Sequence, residues 1–435
     1  MSVQLVGAIG MLCLLALIFL RVPVAISLGV VGFLGYAAVD GWAKATTVLG
    51  QAPFDIAGAY ALSVVPLFVL MGELASTTGM SSKLFSGTKS MFGTVKGALA
   101  YATIGANAGF GAVCGSSVAS AATMTRICVP EMRSSGYDDR LSTGSVAAGG
   151  TLGILIPPSL IFVIYAVIAQ QSVPRLFAAG LVPGLVLTAM YIGVAAALVA
   201  IFPAWAPHGE HETWSQRLRN VAGMWEFALL FGVSVGGIYA GFFSPTEAAA
   251  VGAFLAMVLG AVERKLDWSV LKHCLLETLK TTCMLFLIII GAIVFSYFVV
   301  QARLPEALIG WIQQAGMGPL ALMLTLITAY IVLGCFLEGI GLVLITVPVF
   351  LPVVTASGFD PVWFGVIVVI VVEMGLIHPP VGMNLFVIQA QLPDIPILSI
   401  YKGTLPFLLA PMALIVILLA QPDVALWLPR LLYGK

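Results

Sequence analysis

Apolar residues run in long blocks along this chain, separated by short polar stretches rich in Lys, Ser, Gly and Pro. Blocks near the roughly 20 residues that a helix needs to cross a bilayer recur over its whole length. Ten of them are predicted as membrane spans, at about 3–20, 23–42, 61–79, 143–169, 176–201, 222–242, 246–262, 281–300, 362–392 and 403–421. Two further apolar segments, about 98–130 and 320–356, are interrupted near the middle, by Gly111 to Ser120 and by Gly334 to Gly341. Each is predicted to fold back as a re-entrant helical hairpin. Lipid cannot satisfy an open backbone, so the tips must be buried in protein or line an aqueous cavity. The stretches 80–96 and 264–280 alternate Lys, Ser and apolar residues at helical spacing and are predicted as interfacial amphipathic helices. The segment 203–220 is the one hydrophilic loop.

Composition sharpens the picture. Of 435 residues, 60% are hydrophobic and 9% charged, against roughly 25% charged in a soluble domain. The chain lacks the polar surface to face water. Its net charge is zero, which implies neither nucleic acid nor an acidic partner. The six cysteines form no C-x-x-C pair and the four histidines no H-E-x-x-H, which argues against a zinc site or a disulfide framework. The first twenty residues lack a basic leader, and the first positive charge, Arg21, follows the apolar run, so they are predicted as a retained span. With re-entrant hairpins and the N-terminus outside, thirteen basic residues from Arg21 to Lys402 fall inside. Lys44, Arg175, Arg303, Arg430 and Lys435 fall outside. That is the positive-inside bias.

The chain repeats itself. Pro157-Pro158, in Gly-Ile-Leu-Ile-Pro-Pro, recurs as Pro379-Pro380 in Gly-Leu-Ile-His-Pro-Pro, a shift of 379 − 157 = 222. The same shift carries Pro130 onto Pro352, Ser135-Gly136-Tyr137-Asp138 onto Ser357-Gly358-Phe359-Asp360, and Pro23 onto Pro245. Each half then holds five spans and one hairpin. An odd number of spans sends the second copy into the membrane from the opposite face. The expected fold is therefore an all-α integral membrane protein built as an inverted repeat. Residues 1–201 form the first repeat, 202–221 a cytoplasmic linker and 222–435 the second. Broken helices at matching positions of inverted halves point to a binding site at the midplane.

Proline has no N–H and its ring clashes with the preceding turn, so two in succession must open a helix. The freed carbonyls are costly in hydrocarbon, and a bound cation is one way to satisfy them. In the first half the break runs from Gly149 to Ser159 and faces the tip Cys114-Gly115-Ser116-Ser117. In the second, Gly375 to Asn384 faces Glu338-Gly339-Ile340-Gly341. Hard oxygen ligands of little formal charge suit a monovalent ion better than Ca²⁺ or Zn²⁺. Close helix packing by small residues is the competing explanation. Ionisable residues at membrane depth are functional candidates: Glu338 at the second tip, Glu373 just before the second break, and His378 within it as ligand, substrate contact or proton carrier. Glu73 and Glu247 are candidate structural pairs or caps. Arg126 either guides a carboxylate or anchors the base of the first hairpin.

Gly-Ile-Leu-Ile-Pro-Pro-Ser (153–159), Gly-Gly-Ile-Tyr-Ala-Gly-Phe-Phe-Ser-Pro-Thr-Glu-Ala-Ala-Ala-Val (236–251) and Pro-Pro-Val-Gly-Met-Asn (379–384) together resemble the large membrane subunit of tripartite ATP-independent periplasmic (TRAP) transporters, the DctM-like family. The similarity covers nearly the whole chain. It implies uptake of a small organic acid, a carboxylate or sulfonate, across the bacterial inner membrane on a Na⁺ gradient. It also implies a periplasmic binding protein and a small membrane subunit as separate partners, and an elevator in which hairpins and broken helices move against a fixed scaffold. Carried over by position, one Na⁺ site would use Ser116, Ser117, Gly153, Ile156 and Pro158. The other would use Gly339, Gly375, His378 and Val381. The substrate region would draw on Gly115, Ser159, Glu338, Asn384 and Arg126. The family usually carries Thr where His378 stands, so the second site departs from the pattern. A stand-alone carboxylate transporter of similar architecture is the rival. An intramembrane enzyme would need a nucleophile–base pair, and Ser116 and Ser117 have none in their own half.

Overall fold

The computed structural model describes residues 2–209 and 212–434. Lys435, sorted to the outside above, lies beyond them. The described residues are helical and contain no strand. In the first half the helices are α1 (Val3–Phe19), α2 (Val24–Asp40), α3 (Trp42–Ala57), α4 (Val64–Thr77), α5 (Met80–Phe92), α6 (Ala98–Cys114), α7 (Ser117–Ser134), α8 (Asp139–Leu155), α9 (Leu160–Ala169) and α10 (Val173–Ile201). A short α11 (Trp214–Ala222) joins the halves. The second half holds α12 (Trp225–Phe231), α13 (Gly237–Tyr239), α14 (Pro245–Val262), α15 (Trp268–Gln301), α16 (Leu304–Gln314), α17 (Pro319–Gly334), α18 (Gly339–Ala356), α19 (Pro361–Ile377), α20 (Met383–Gln391), α21 (Ile397–Thr404), α22 (Leu409–Ala420) and α23 (Asp423–Tyr433).

Among the described residues, seven helices are long and apolar enough to cross a membrane, or eight if the pair α8 and α9, bent by 41°, is one broken span. At 1.5 Å per residue, the 34 residues of α15 exceed the hydrocarbon thickness. The 17 of α1 and α2 only just reach it. Large apolar side chains such as Leu12, Phe254, Leu287 and Val416 are exposed around the outside. A water-soluble surface does not present such a belt; hydrocarbon accepts it.

Helix bounds repeat at the shift found in the sequence. A displacement of 222 carries Ser117–Ser134 onto Gly339–Ala356 and Asp139–Leu155 onto Pro361–Ile377. The local causes repeat as well. Gly136 and Gly358 adopt the left-handed region, at φ 84° and 88°, where a side chain would be strained. The next polar residues, Asp138 and Asp360, then cap α8 and α19, accepting from Arg140 N and Val362 N at 2.8 and 2.7 Å.

Three local expectations need correction. The stretch 264–280 is no separate interfacial helix. Asp267 caps Val270 N at 2.7 Å and α15 runs on unbroken to Gln301, because no proline interrupts it. The segment 203–220 is not wholly loop, since a Thr213–Gln216 capping box starts α11. The helices α3, α16 and α23 lay in segments left without structure, because their mixed polar faces fall short of a hydropathy criterion. Glu247 is settled as a cap: it accepts from Ser244 N at 2.7 Å.

Candidate functional site

Both proline pairs interrupt their helices as expected. The carbonyl of residue i in an α-helix accepts from the N–H of residue i+4. Pro157 and Pro158 therefore deprive Gly153 and Ile154 of their donors, and Pro379 and Pro380 do the same to Gly375 and Leu376. The helices α8 and α19 end at Leu155 and Ile377, with Ile156 and His378 extended at their C-caps. Both Pro–Pro peptide bonds are cis.

In the first half the hairpin formed by α6 and α7 brings its tip onto the break. Gly115 closes α6 in the left-handed conformation, φ 66°. A Cβ placed on it would lie 3.3 Å from the carbonyl oxygen of Pro158. One turn away the backbones of α6 and α8 touch, and a Cβ on Gly153 would stand 2.8 Å from Gly111 Cα. Ser116 caps α7, accepting from Ala119 N at 3.4 Å, and Ser117 is buried behind it. All five residues expected at the first site thus converge on one tip and one break.

The second half reproduces the approach with different chemistry. A Cβ on Gly375 would stand 2.7 Å from Gly334 Cα, so α17 and α19 are again in backbone contact. The Gly375 carbonyl regains a donor from His378 N at 3.3 Å. His378 turns Nδ1 toward the Cys335 thiol, at 3.5 Å, and against the Pro379 carbonyl. Tyr401, from α21, donates its hydroxyl to the carbonyls of Pro380 at 2.5 Å and Val381 at 3.1 Å. Oxygens that would serve a cation therefore already have partial partners here. Gly339, buried at the start of α18, packs against Val372 and Ile161. Among the four expected members, Gly375, His378 and Val381 share one break, while Gly339 belongs to the tip beside it.

Between the two tips lies a cavity of about 610 Å³, within the usual range for small-molecule sites. Gly115, Ser116 and Ser117 line it from one half, and Glu338, Gly339 and Met383 from the other. Outer helices complete the wall with Val24, Glu73, Met284 and Leu285. Among the described residues, Glu73 and Glu338 are the charged side chains on the wall, and no Lys, Arg or His lines it. Glu338 caps α18, accepting from Gly341 N at 3.0 Å. Asn384 sits buried beneath the first tip, donating Nδ2 to Ser117 Oγ at 2.7 Å. Three of the five substrate-region candidates, Asn384 among them, are not on the cavity wall. Ser159 is buried as the cap of α9, and Arg126 is exposed midway along α7. Tyr401, Cys335 and the pairing of Asn384 with Ser117 escaped the sequence. Nothing in a 222-residue shift signals a contact made across it.

A family model described as tripartite ATP-independent periplasmic transporter, DctM component, matches residues 11–424. The chain is similar to the C4-dicarboxylate TRAP transporter large permease protein DctM of Pseudomonas aeruginosa, with 36% identity over 380 residues, 87% of this chain and 88% of that one. It is also 32% identical to the isethionate TRAP transporter permease protein DctMQ of Oleidesulfovibrio alaskensis, over 93% of this chain and 64% of that one. Among solved structures, the YdaH transporter of Alcanivorax borkumensis shares the fold. The TM-score is 0.60 at 14% identity, covering 96% of this chain and 98% of that one.

Proposed function

The chain belongs to the DctM component family of tripartite ATP-independent periplasmic transporters, and from that premise we propose that it is the permease of a Na⁺-coupled importer of a small organic acid. It is a multi-pass membrane transport subunit with the large-permease architecture of its relatives. One observation supports the coupling above the others: proline pairs open two helices at matched positions and remove helical donors from their carbonyls, of which Gly375 regains one from His378, and each break lies beside a hairpin tip on a shared cavity. Main-chain and hydroxyl oxygens with little formal charge suit Na⁺.

The cavity takes the substrate. The α7 N-terminus, capped by the uncharged Ser116, offers its free amides and positive end to the acid group. The α18 N-terminus is occupied by its own Glu338 carboxyl, which leaves that side of the cavity to hydrogen-bond donors of the substrate. The two halves are inverted repeats, and α6 to α9 with α17 to α20 form the moving body of an elevator. Its tips press closely on the outer helices. A Cβ on Gly72 would lie 2.9 Å from Cys114 Cα, and one on Gly341 3.1 Å from Val24. Small residues at such a seam let one body slide past another. A periplasmic binding protein delivers the acid, and a small membrane subunit packs on the outer helices in the inner membrane. The fused DctMQ relative, by its name, supports that pairing.

The experiment is uptake by proteoliposomes holding this chain with its small subunit, with binding protein and labelled acids outside. Uptake that needs both an inward Na⁺ gradient and the binding protein is expected. Equal uptake by the permease alone would favour the stand-alone transporter instead.

A further inference from the structure

The cavity between the tips carries one charge that the protein leaves unanswered. Glu73 lies in the last turns of α4, an outer helix pressed against the first tip, where a Cβ on Gly72 would stand 2.9 Å from Cys114 Cα. Its side chain is half-buried and lines the cavity. The backbone carbonyl of Glu73 accepts from Thr77 Oγ1 at 2.7 Å. Among the described residues, its carboxyl accepts no hydrogen bond and joins no ion pair.

Carboxylates on the adjoining helices are engaged. Glu277 of α15 pairs with Lys280 at 2.6 Å, and Glu263, at the end of α14, pairs with Lys83 and with Lys265 at 2.9 Å. Across the cavity, Glu338 is occupied as the cap of α18. Glu373, the third carboxyl at membrane depth, is buried in α19 off the cavity wall. The groups within electrostatic reach of Glu73 are Glu277 and His273 of α15, with the thiols of Cys114 and Cys274. His273 is exposed and forms no ion pair with it.

A carboxylate facing a largely apolar wall needs a partner, and the cargo is the one molecule that can bring it. The same cavity holds the α7 N-terminus, whose positive end suits an acid group. A second carboxylate on the cargo would meet Glu73 among Val24, Val69 and Met284, where little water screens like charges. A protonated nitrogen there would instead make charge-assisted hydrogen bonds.

We propose that the cargo is a zwitterion, an acid that also carries a protonated nitrogen, and that Glu73 is the specificity-determining residue that receives this nitrogen. The cargo's N–H groups donate to the Glu73 carboxylate while its acid group meets the amides of α7. The same charge turns away simple dicarboxylates. This assignment rests on the cavity being the substrate site, as proposed above, and not on Na⁺ coupling.

The test is the melting temperature of the purified permease complex titrated with three four-carbon acids that differ at the far end: γ-aminobutyrate, butyrate and succinate. In wild type γ-aminobutyrate is expected to stabilise at concentrations at least about tenfold below the other two. Glu73→Gln is expected to erase that difference, and Glu73→Asp, which keeps the charge should the glutamine variant fail to fold, to retain it. Glu277→Gln removes a charge beside the cavity but not on its wall, and is expected to keep the preference. Succinate binding as well as γ-aminobutyrate, no stabilisation by γ-aminobutyrate at any concentration, or an unchanged preference in Glu73→Gln would each overturn the assignment. Loss of the preference in Glu277→Gln would overturn it too. The melts are run in Na⁺ and in K⁺ buffer. A preference of equal size in K⁺ supports Glu73 while counting against Na⁺ coupling, so the two proposals fail separately.

Discussion

Asn384 donates its amide to the hydroxyl of Ser117 at 2.7 Å, both residues buried, and so ties the second opened helix to the first hairpin tip. The two residues are far apart in sequence and lie in different halves. A buried bond of this kind contributes about 1 kcal/mol net, and leaving one partner unsatisfied costs about 1–3 kcal/mol. Ser117→Ala and Asn384→Ala are each expected to lower the melting temperature by a few degrees. The double variant is expected to fall little further than the worse single one. Strictly additive losses in thermal melts would show that the two residues do not act through each other.

Gly153 has no room for a side chain. A Cβ there would meet Gly111 Cα at 2.8 Å and Ser120 Oγ at 3.2 Å. Gly153→Val is therefore expected to part α6 from α8 and spread the proposed first cation site, cutting uptake at least about tenfold, the factor that roughly 1.4 kcal/mol supplies. Gly50, which has open space around it, is the control position. Gly50→Ala is expected to transport normally, with membrane levels of both variants followed by immunoblot.

Tyr401 holds the second break in shape through its bonds to the Pro380 and Val381 carbonyls. Tyr401→Phe removes about 1 kcal/mol of hydrogen bonding. The Na⁺ concentration for half-maximal uptake is expected to rise about fivefold. An unchanged Na⁺ titration would leave Tyr401 as packing alone.

On the membrane surface Arg133 spans two carboxylates, Asp139 at 2.6 Å and Asp394 at 2.7 Å, linking the base of the first hairpin to the loop after α20. The guanidinium holds the Asp394 carboxyl below its ordinary value of 3.8. A depressed carboxyl contributes stability above its unfolded value and loses it as pH falls through the folded one. Asp394→Asn is thus expected to melt slightly below wild type at neutral pH. The difference is expected to fade once the pH drops below 3.8. Asp394 is exposed and Arg133 half-buried, so solvent screens the pair and the effect is small. Melting curves across that range measure it.

The helix breaks and the hairpin tips were legible because proline and glycine act locally. A missing N–H or a positive φ needs no knowledge of neighbours. The shift of 222 residues added the pairing of helices. What stayed hidden depends on packing between distant segments. Tyr401 reaches the second break from another helix, and Asn384 crosses to the opposite half. The continuity of α15 was missed because an amphipathic start masked one long helix. Arg126 and Ser159 looked suited to the cavity by residue type, yet their helices place one outside and one beneath it.

The central claim is that opened helices hold Na⁺ inside the membrane, and the most direct measurement is the melting temperature of the purified permease complex titrated with NaCl against KCl at equal ionic strength. Saturable stabilisation by Na⁺ alone, blunted in Ser117→Ala and in Gly153→Val, is the expected result. Superimposable Na⁺ and K⁺ curves for the wild-type protein would contradict it.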